Sequence, residues 1–382
     1  MLIKDICSSI TDGSHNPPQG ITNSLYLMLS SKNVFDDEIT LDEPRFLSEE
    51  DFEKENKRTK VKCGDVLLTI VGTVGRAAVV SNDLPPFTLQ RSVAVLHPND
   101  EVCSGRYLMY ALRGKRSYIE SNSKGVAQKG IYLKEVARID LPIPSKEIQK
   151  QIIEKLDKVS SIIKSRQLEI IKLDNLIKAR FVEMFGDTVL NPFGWDKELL
   201  GIVCDVRDGT HDSPQYYETG LPLVTSRNVT GGKIDLTNCS LICETDFKKI
   251  NERSKVDIGD IIMPMIGTVG KPVIVDIEPN FAIKNVSLIK FRSDSRVLNN
   301  YVRALLQSDY FDDAVLSKVR GGTQKFISLG DIRKLEILVP PMKLQEQFAV
   351  FVTQVDKSKF AVQKALDEAQ LLFDSLMQQY FG

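Results

Sequence analysis

The sequence has few of the residues on which metal-dependent or disulfide-stabilised proteins rely. Its 382 residues include three histidines, one tryptophan and six cysteines. The cysteines are Cys7, Cys63, Cys103, Cys204, Cys239 and Cys243, and none of them belongs to a C-x-x-C pair. Metal sites and disulfide frameworks need closely or regularly spaced ligands. We therefore expect no metal site, free thiols and a cytoplasmic location.

Long apolar runs and an excess of charge of either sign are also missing. No apolar stretch approaches the roughly 18 residues that span a bilayer, and the residues after Met1 lack the pattern of a signal peptide, so we expect no membrane association. Lysine and arginine number 50 against 51 acidic residues, a net charge of −1. This balance argues against nonspecific coating of nucleic acid, but it is compatible with a local basic face.

Motifs for cofactor binding and catalysis are absent as well. There is no G-x-x-x-x-G-K-[ST] loop and no G-x-G-x-x-G after a predicted strand. Asn16-Pro17-Pro18 resembles the Asn-Pro-Pro-aromatic motif of amino-group methyltransferases, but Gln19 stands where a ring would stack on a flipped base. We assign no catalytic residue and expect no cofactor in this chain. A self-contained adenine methyltransferase with a diverged site is kept as an alternative.

The most informative feature present is a repeat of the first half of the chain in the second. Residues 13–19 return as 209–215, and the Gly-Asp and Gly-Thr-Val-Gly motifs of residues 64–75 return at 259–270, at an offset of 195 or 196 positions. The cysteines do not recur in this way. Short β-rich runs, a helix and a proline-marked exit strand are predicted in each copy. We predict two mixed α/β globules, residues 1–144 and 188–341.

Each globule is followed by a segment with sustained heptad spacing, residues 145–187 and 342–382. Apolar residues recur at alternating steps of four and three, the seam pattern of a coiled coil. The predicted seam residues are Ile152, Leu156, Val159, Ile163, Ile170, Leu173, Ile177, Phe348, Val352, Val355, Val362, Leu366, Phe373 and Leu376. Arg166 and Lys359 interrupt the seam, where they would fix register or meet a partner. About 40 residues give a helix of ~60 Å, longer than a small domain is wide. We predict an α+β fold in which two long helices form an antiparallel coiled coil; packing of each helix on its own globule is the alternative.

Polar loop residues at equivalent places in the two copies are the candidates for contact with nucleic acid. Two histidines lie in polar turns, where a histidine either bonds its own loop or faces a ligand. Lysine and arginine neutralise phosphates, and amide side chains can bond an adenine edge bidentately. The candidate DNA-binding residues are His15, Asn16, Lys32, Asn33, Arg76, Gln90, Arg91, Lys124, Gln128, Lys129, His211, Asp212, Arg227, Asn228, Lys271, Lys284, Asn285, Arg320, Thr323, Gln324 and Lys325.

Two further patterns among these residues leave alternatives open. From Arg106 to Lys129 there are six basic residues against one acid, Glu120, which fits either a nucleic-acid surface or a solvated helix face. Gln90-Arg91 aligns with Lys284-Asn285, so the framework is kept while the polar side chains differ. Two globules that recognise different base sequences would differ in this way, and so would two copies that drifted neutrally after duplication.

The doubled order of these motifs resembles the specificity (S) subunit of type I restriction-modification systems over essentially the whole chain. The shared features are an Asp-Gly-[Ser/Thr]-His opening, a Gly-Asp strand with a Gly-Thr-Val-Gly turn, a G-x-x-Gln-Lys loop, a proline exit, a glutamine-rich helix start and a Phe-Gly helix end. The region around Trp195 has no counterpart before the first globule. We therefore expect the first globule to lack a leading strand.

This resemblance implies a recognition subunit without enzymatic activity. Each globule would be a target recognition domain for one half of a bipartite double-stranded DNA site, and the helices would set the gap between the halves. The helices would also dock two modification (methyltransferase) subunits, and restriction subunits would join that core. S-adenosylmethionine, ATP and Mg²⁺ would be used only by these partners. A coiled-coil scaffold that binds no DNA is a further alternative.

Overall fold

The structure, a computed structural model, describes residues 1–125, 129–266, 269–314 and 326–382. Contacts within the chain divide it into two units. Unit 1 consists of Met1–Gln167 with Lys364–Gly382, and unit 2 consists of Leu168–Gln363. Each unit therefore contains one globule and half of each long helix.

Short strands and helices alternate within each globule. The helices are α1 (Ile3–Ile6), α2 (Glu49–Thr59), α3 (Gly105–Gly114), α4 (Arg116–Ser121), α5 (Leu133–Val136), α6 (Lys146–Phe185), α7 (Leu200–Val203), α8 (Glu244–Ser254), α9 (Asn299–Leu306), α10 (Asp309–Ala314), α11 (Leu329–Arg333) and α12 (Met342–Phe381). The strands of unit 1 are β1 (Cys7–Asp12), β2 (Tyr26–Leu29), β3 (Val34–Phe35), β4 (Glu38–Ile39), β5 (Arg45–Leu47), β6 (Val66–Thr69), β7 (Ala77–Val79), β8 (Phe87–Leu89) and β9 (Val93–Pro98). The strands of unit 2 are β10 (Asp196–Leu199), β11 (Asp205–Asp208), β12 (Leu221–Val224), β13 (Val229–Thr230), β14 (Lys233–Ile234), β15 (Ser240–Ile242), β16 (Ile261–Pro264), β17 (Val273–Ile274), β18 (Ala282–Ile283), β19 (Val286–Lys290) and β20 (Glu336–Val339).

The two globules share one sheet topology. In unit 1 an antiparallel sheet has the order β1-β9-β6-β7, and a second sheet has the order β5-β2-β8 with β2 and β8 parallel. In unit 2 the corresponding orders are β11-β19-β16-β17 and β15-β12-β18, with β12 and β18 parallel. The α+β class with two repeated globules is therefore confirmed.

The strand that follows each Gly-Asp motif is buried on both faces. In β6, Val66 and Leu68 pack on the helix α3 side, whereas Leu67 packs on the second sheet. A strand covered in this way has a continuous apolar sequence instead of an alternating one. Gly64 and Gly259 precede β6 and β16 with φ of +86° and +91°, a conformation that glycine adopts without steric cost.

The globules differ at their first strand. In unit 2, β10 pairs antiparallel with β20 over four residues, from Asp196 opposite Val339 to Leu199 opposite Glu336. At the matching place in unit 1, an isolated bridge replaces this pair of strands.

The long helices α6 and α12 have 40 residues each and run antiparallel. In unit 1, Leu156 near the start of α6 shares a core with Phe373 and Phe381 near the end of α12. In unit 2, Ile177 near the end of α6 shares a core with Phe348 near the start of α12. All of the predicted seam residues are buried or half-buried. The heptad pattern therefore identified the inward face of both helices.

This inward face changes its spacing near the end of α6. After Ile177 the alternating steps continue to Arg180 and Met184, but the buried residues are Phe181 and Phe185. A straight α-helix drifts about 20° per heptad relative to strict 3.5-residue spacing. Here the aromatic rings of Phe181 and Phe185 pack on a tyrosine of α9, with centroid distances of 5.5 and 4.8 Å. The core of the globule determines which side chains are buried at this end.

Candidate nucleic-acid interface

Each globule presents a histidine and an arginine that are held by one aspartate. In unit 1, Nε2 of His15 lies 2.8 Å from the Asp12 carboxylate, and Nη2 of Arg58 donates to its other oxygen. Arg58 also donates from Nε to the Asp12 carbonyl oxygen at 3.0 Å. The Asp12 side chain is 10% exposed, whereas those of His15 and Arg58 are 54% and 55% exposed. A buried carboxylate thus positions two basic side chains at the surface.

The same cluster recurs in unit 2. Nε2 of His211 lies 2.8 Å from the Asp208 carboxylate, and Arg253 donates to the other oxygen of that carboxylate. In addition, Nδ1 of His211 lies 3.0 Å from Oδ1 of Asn285. The hydrogen bonds to Asn285 and Asp208 raise the pKa of His211, because both ring nitrogens face acceptors and the doubly protonated ring satisfies both. We name the two sets, Asp12 with His15 and Arg58 and their equivalents in unit 2, the anchored clusters.

A glycine in each Asp-Gly motif allows the histidine turn to lie against a strand. A Cβ atom on Gly13 would be 2.0 Å from the carbonyl oxygen of Leu89, and one on Gly209 would be 2.4 Å from that of Ile283. Real side chains do not approach backbone oxygens this closely, so only glycine fits at either position. The glycine that the sequence repeats thereby brings the histidine beside the end of β8 or β18.

The predicted pairs Gln90-Arg91 and Lys284-Asn285 lie beside the anchored clusters. The residue before each histidine forms a parallel bridge with Gln90 in unit 1 and with Lys284 in unit 2. Arg91 is exposed and Asn285 is half-buried. Lys284 is buried and donates from Nζ to Oγ of Ser213 at 2.7 Å, so it supports the loop. The second residue of each pair is the more accessible one.

Asn33 and Asn228, which the sequence nominates as contact residues, are buried. Each side chain accepts a hydrogen bond at 3.0 Å from the backbone N–H three residues earlier and donates to a carbonyl oxygen farther along the loop. These bonds assign both asparagines to loop closure. Their neighbours Lys32 and Arg227 are exposed and remain candidates for contact.

Basic residues also surround the Gly-Thr-Val-Gly turn of unit 1. The Arg76 guanidinium lies 4.8 Å from the centroid of the Phe35 ring. Lys124 and Lys129 are exposed, and the Lys129 carbonyl oxygen accepts from the first glycine of the turn at 2.9 Å. Lys271, at the matching turn of unit 2, is exposed. The candidates outside the described residues are Gln128, Arg320, Thr323, Gln324 and Lys325.

The aspartates and arginines of the anchored clusters were not among the predicted contact residues. Asp12 and Arg58 are 46 positions apart, so no local motif joins them. Both recur in the second copy, the aspartate at an offset of 196 positions and the arginine at 195, and this recurrence was the available signal. Asn16 and Asp212, which directly follow the histidines, are exposed.

The basic segment 106–129 is partly neutralised by aspartates of the same unit. Arg106 donates to Asp37 between β3 and β4 and to Asp157 on α6, the latter from Nη2 at 2.7 Å. Burial by itself would raise the pKa of Asp37, but hydrogen bonds and charge from Arg106 and Lys164 lower it below its ordinary value. The β3–β4 hairpin is thus tied to α3 and α6 by charge.

Arg113 and Arg116 are engaged in the same way. Arg116 donates from Nη2 to Oδ1 of Asp36, and Nε of Arg113 lies 3.9 Å from that oxygen. The Arg113 guanidinium also lies 5.0 Å from the centroid of Phe373. These arginines hold helices and hairpin together, so the interpretation of the segment as a nucleic-acid surface is not supported for them.

The outward sides of the long helices carry exposed apolar side chains. Phe360 in unit 2 is 67% exposed, and Leu371 in unit 1 is 70% exposed. Contiguous exposed apolar patches mark protein-protein contact sites, whereas single exposed apolar side chains are common on any protein surface. At the centre of α12, Lys359, which interrupts the seam, forms an ion pair with Asp174 of α6.

Other kinds of site find little support in the part of the chain that the structure describes. There, no group of three or more histidine, cysteine, aspartate or glutamate side chains is placed to hold a metal ion. Burial raises the pKa of Cys7, Cys103 and Cys204 to about 12, which keeps these thiols protonated and unreactive. Helices of the length and apolar character needed to cross a membrane do not occur among the described residues.

Comparison with known proteins gives one consistent family. The family model for the type I restriction modification DNA specificity domain matches residues 30–173 and 194–369. The type I restriction enzyme MjaVIII specificity subunit of Methanocaldococcus jannaschii is 24% identical over 342 residues, which cover 81% of this chain and 78% of that protein. The MjaIX specificity subunit of the same organism is 26% identical over 348 residues, covering 82% and 76%.

A solved structure has the same fold. The S subunit of the type I restriction-modification system from M. genitalium superimposes with a TM-score of 0.58 and 13% sequence identity. The match covers 100% of this chain and 95% of that one. At this identity the likeness concerns the fold alone, and it includes both globules and both long helices.

Proposed function

Because this chain belongs to the type I restriction modification DNA specificity family, we propose that it is the DNA-recognition subunit of a type I restriction-modification complex. It recognises a bipartite double-stranded DNA site, with one half bound by each globule. The observation that carries this proposal is the occurrence of one anchored cluster, beside one strand end, in each unit. Two equivalent binding surfaces on one chain suit two separated half-sites.

The long helices set the gap between the half-sites. Each has 40 residues, which corresponds to about 60 Å of helix. This length is compatible with half-sites one turn of DNA apart, about 34 Å. The ion pair between Lys359 and Asp174 supports a defined register for the two helices and therefore a defined gap.

The same helices dock two modification subunits, and restriction subunits join that assembly. Exposed apolar side chains such as Ile171 on α6 and Phe360 on α12 support a protein-binding role for the outward faces of both helices. The partners catalyse the reactions and bind S-adenosylmethionine, ATP and Mg²⁺, and this chain recognises the DNA sequence. The lack of a cofactor motif in the sequence supports this division.

An exchange of one globule tests the assignment of half-sites. Residues 1–144 are replaced by the matching segment of a related specificity subunit, and methylome sequencing of a host with all subunits determines the site. We expect one half of the bipartite site to change while the other half and the gap stay the same. A change in both halves, or in neither, would contradict the proposal.

Methyl-transfer assays separate the recognition role from the alternatives. The full chain alone is expected to transfer no methyl group from S-adenosylmethionine to DNA, and addition of modification subunits is expected to give adenine methylation at the split site. Transfer by the chain alone would favour a self-contained methyltransferase. Absence of a gel shift with and without the modification subunits would favour a scaffold that binds no DNA.

A further inference from the structure

The two globules agree in some interface residues and differ in others, and the two kinds lie side by side. The aspartate, histidine and arginine of the anchored clusters are the same in both units, with the same contacts. One residue beyond the bridge that joins the histidine turn to the strand end, unit 1 has Arg91 and unit 2 has Asn285. Both residues donate a backbone N–H to the residue before the histidine, Arg91 to Ser14 at 2.9 Å and Asn285 to Thr210 at 3.2 Å, although only Asn285 has a positive φ.

The proposed function, in which each globule binds its own half-site, is the premise here. Under it, interface side chains that are identical in the two globules and those that differ suit different parts of the DNA. A side chain that is identical in two globules with different base targets is suited to what every half-site has, the sugar-phosphate backbone, whose contacts carry no sequence information. A side chain that differs at the equivalent place of the two turns is suited to contact bases. Arginine matches the O6 and N7 acceptors of guanine, whereas asparagine matches N6 and N7 of adenine.

We propose that each anchored cluster binds a DNA phosphate through its histidine and arginine, and that Arg91 and Asn285 contact bases in their half-sites. Arg91 then recognises guanine and Asn285 recognises adenine. The buried aspartate fixes the two basic groups before DNA binds. The phosphate contact sets the position of the globule on the duplex, and the adjacent side chain recognises the base.

The electrostatics of unit 2 support the phosphate contact. Both ring nitrogens of His211 lie within hydrogen-bond distance of acceptor oxygens, on Asp208 and Asn285. Both bonds form only when the ring carries two protons, so the geometry favours the imidazolium. With Arg253, the cluster then has two positive charges against one carboxylate. The net charge of about +1 favours a phosphate, and charge-assisted hydrogen bonds are the strong ones at such sites.

The bond between His211 and Asn285 also couples the two contacts. When Nδ1 of His211 donates to Oδ1 of Asn285, the Asn285 amide plane is oriented and its Nδ2 is directed away from the histidine. Asn285 has φ of +54°, a left-handed conformation that asparagine tolerates better than most residues. The position that carries the amide is therefore held both by its backbone and by the histidine.

The experiment uses the full chain with its modification subunits and first determines the wild-type site. Selection from a randomised duplex library gives the bipartite consensus, and failure to obtain any consensus would count against the proposed function itself. Binding to the selected duplex and to a random duplex is then measured over a range of salt concentrations. The variants are His211→Ala, Arg253→Ala and Arg253→Lys, with Lys249→Ala on the same helix α8 as the control for loss of an exposed charge.

Loss of a phosphate contact is expected to weaken binding to the selected and the random duplex by the same factor. His211→Ala and Arg253→Ala should each reduce affinity roughly 10- to 100-fold, the range for a hydrogen bond to a charged group. Arg253→Ala should leave the consensus unchanged, whereas His211→Ala should also weaken the preference for adenine, because it removes the bond that orients Asn285. The slope of log affinity against log salt should fall by about 0.9 for each lost contact. Arg253→Lys should recover part of the loss, and Lys249→Ala should have little effect.

Exchange of the base-contacting side chain is expected to change the recognised DNA sequence and to leave the affinity for random DNA unchanged. Arg91→Asn should replace guanine by adenine at one position of the half-site of unit 1, with roughly ten-fold discrimination and unchanged binding to random duplex. An unchanged consensus would overturn the base assignment. The phosphate assignment would be overturned if the cluster variants changed base preference without lowering affinity, or if their affinities equalled that of Lys249→Ala. It would also be overturned if every loss of affinity came with a loss of thermal stability that Arg253→Lys failed to restore.

Discussion

Truncation of one seam leucine tests whether the long helices are stabilised by their inward faces. Leu156 on α6 has no exposed surface and shares its core with Phe373 and Phe381 of α12. Leu156→Ala removes three carbon atoms from a site that is closed on all sides by packed side chains. Such truncations cost about 2–5 kcal/mol, the sum of the lost transfer free energy and of the cavity left behind.

The expected loss is large enough to measure by thermal or denaturant unfolding. For a domain of 150–250 residues, each kcal/mol lowers the Tm by roughly 2–4 °C, so a loss of about 3 kcal/mol corresponds to roughly 6–12 °C for unit 1. The matched control is Leu371→Ala on α12, since Leu371 belongs to the same unit and is 70% exposed. Its truncation is expected to change stability by about 0.5 kcal/mol or less.

The comparison of the two leucines decides the issue because both variants lose the same atoms from a long helix. Equal losses in the two variants would refute the assignment of Leu156 to a packed seam. A loss confined to Leu156→Ala, together with a weaker preference for the correct gap between half-sites, would connect the seam with the proposed spacing role.

Three further variants test contacts within the units. Arg106→Ala should lower the free energy of unfolding of unit 1 at neutral pH. The pKa of Asp37 is lowered in the folded chain, so the stability linked to that lowering is present above pH 3.8 and is lost as the pH falls further. The difference in free energy of unfolding between variant and wild type should therefore become smaller in acid. Asn285→Ala should lower the pKa of His211, because hydrogen bonds to Asn285 and Asp208 raise it. As the pH rises, the imidazolium charge of the variant, and its contribution to DNA binding, would then be lost at a lower pH than in wild type. An NMR titration of the ring measures this shift. Gly209→Ala should displace the histidine turn, measured as lower stability and weaker DNA binding.

The control for the glycine variant is Gly330→Ala. Gly330 lies in α11, and a Cβ atom there would meet nothing closer than 3.6 Å. Alanine is favoured over glycine in a helix by roughly 0.5–1 kcal/mol, so this variant should be neutral or slightly more stable than wild type. If Gly209→Ala behaved like Gly330→Ala, the close approach to Ile283 would not be a constraint on the fold.

Much of the fold could be predicted because its signals are periodic or repeated in the chain. Heptad spacing identified the inward face of α6 and α12, since burial of one helix stripe depends on positions three and four residues apart. The spacing failed at Phe181 and Phe185, where contacts with the globule and not helix periodicity determine burial. Duplicated motifs predicted two globules of one topology without any knowledge of strand order.

The interface was only partly predictable, because burial and long-range pairing are properties of the folded chain. Sequence alone nominated His15 and His211 from their repeated turns, but it also nominated Asn33 and Asn228, whose amides close their own loops. An exposed and a buried asparagine look the same in a sequence.

The sequence by itself determined that the chain consists of two copies of one globule joined to amphipathic helices, because such patterns are local and recur at a constant offset. The tertiary structure decided which polar side chains meet. Asp12 pairs with Arg58, which is 46 positions away in the sequence, and Arg106 pairs with Asp37, which is 69 positions away. Ion pairs of this kind depend on how strands and helices pack, and spacing along the chain does not encode them.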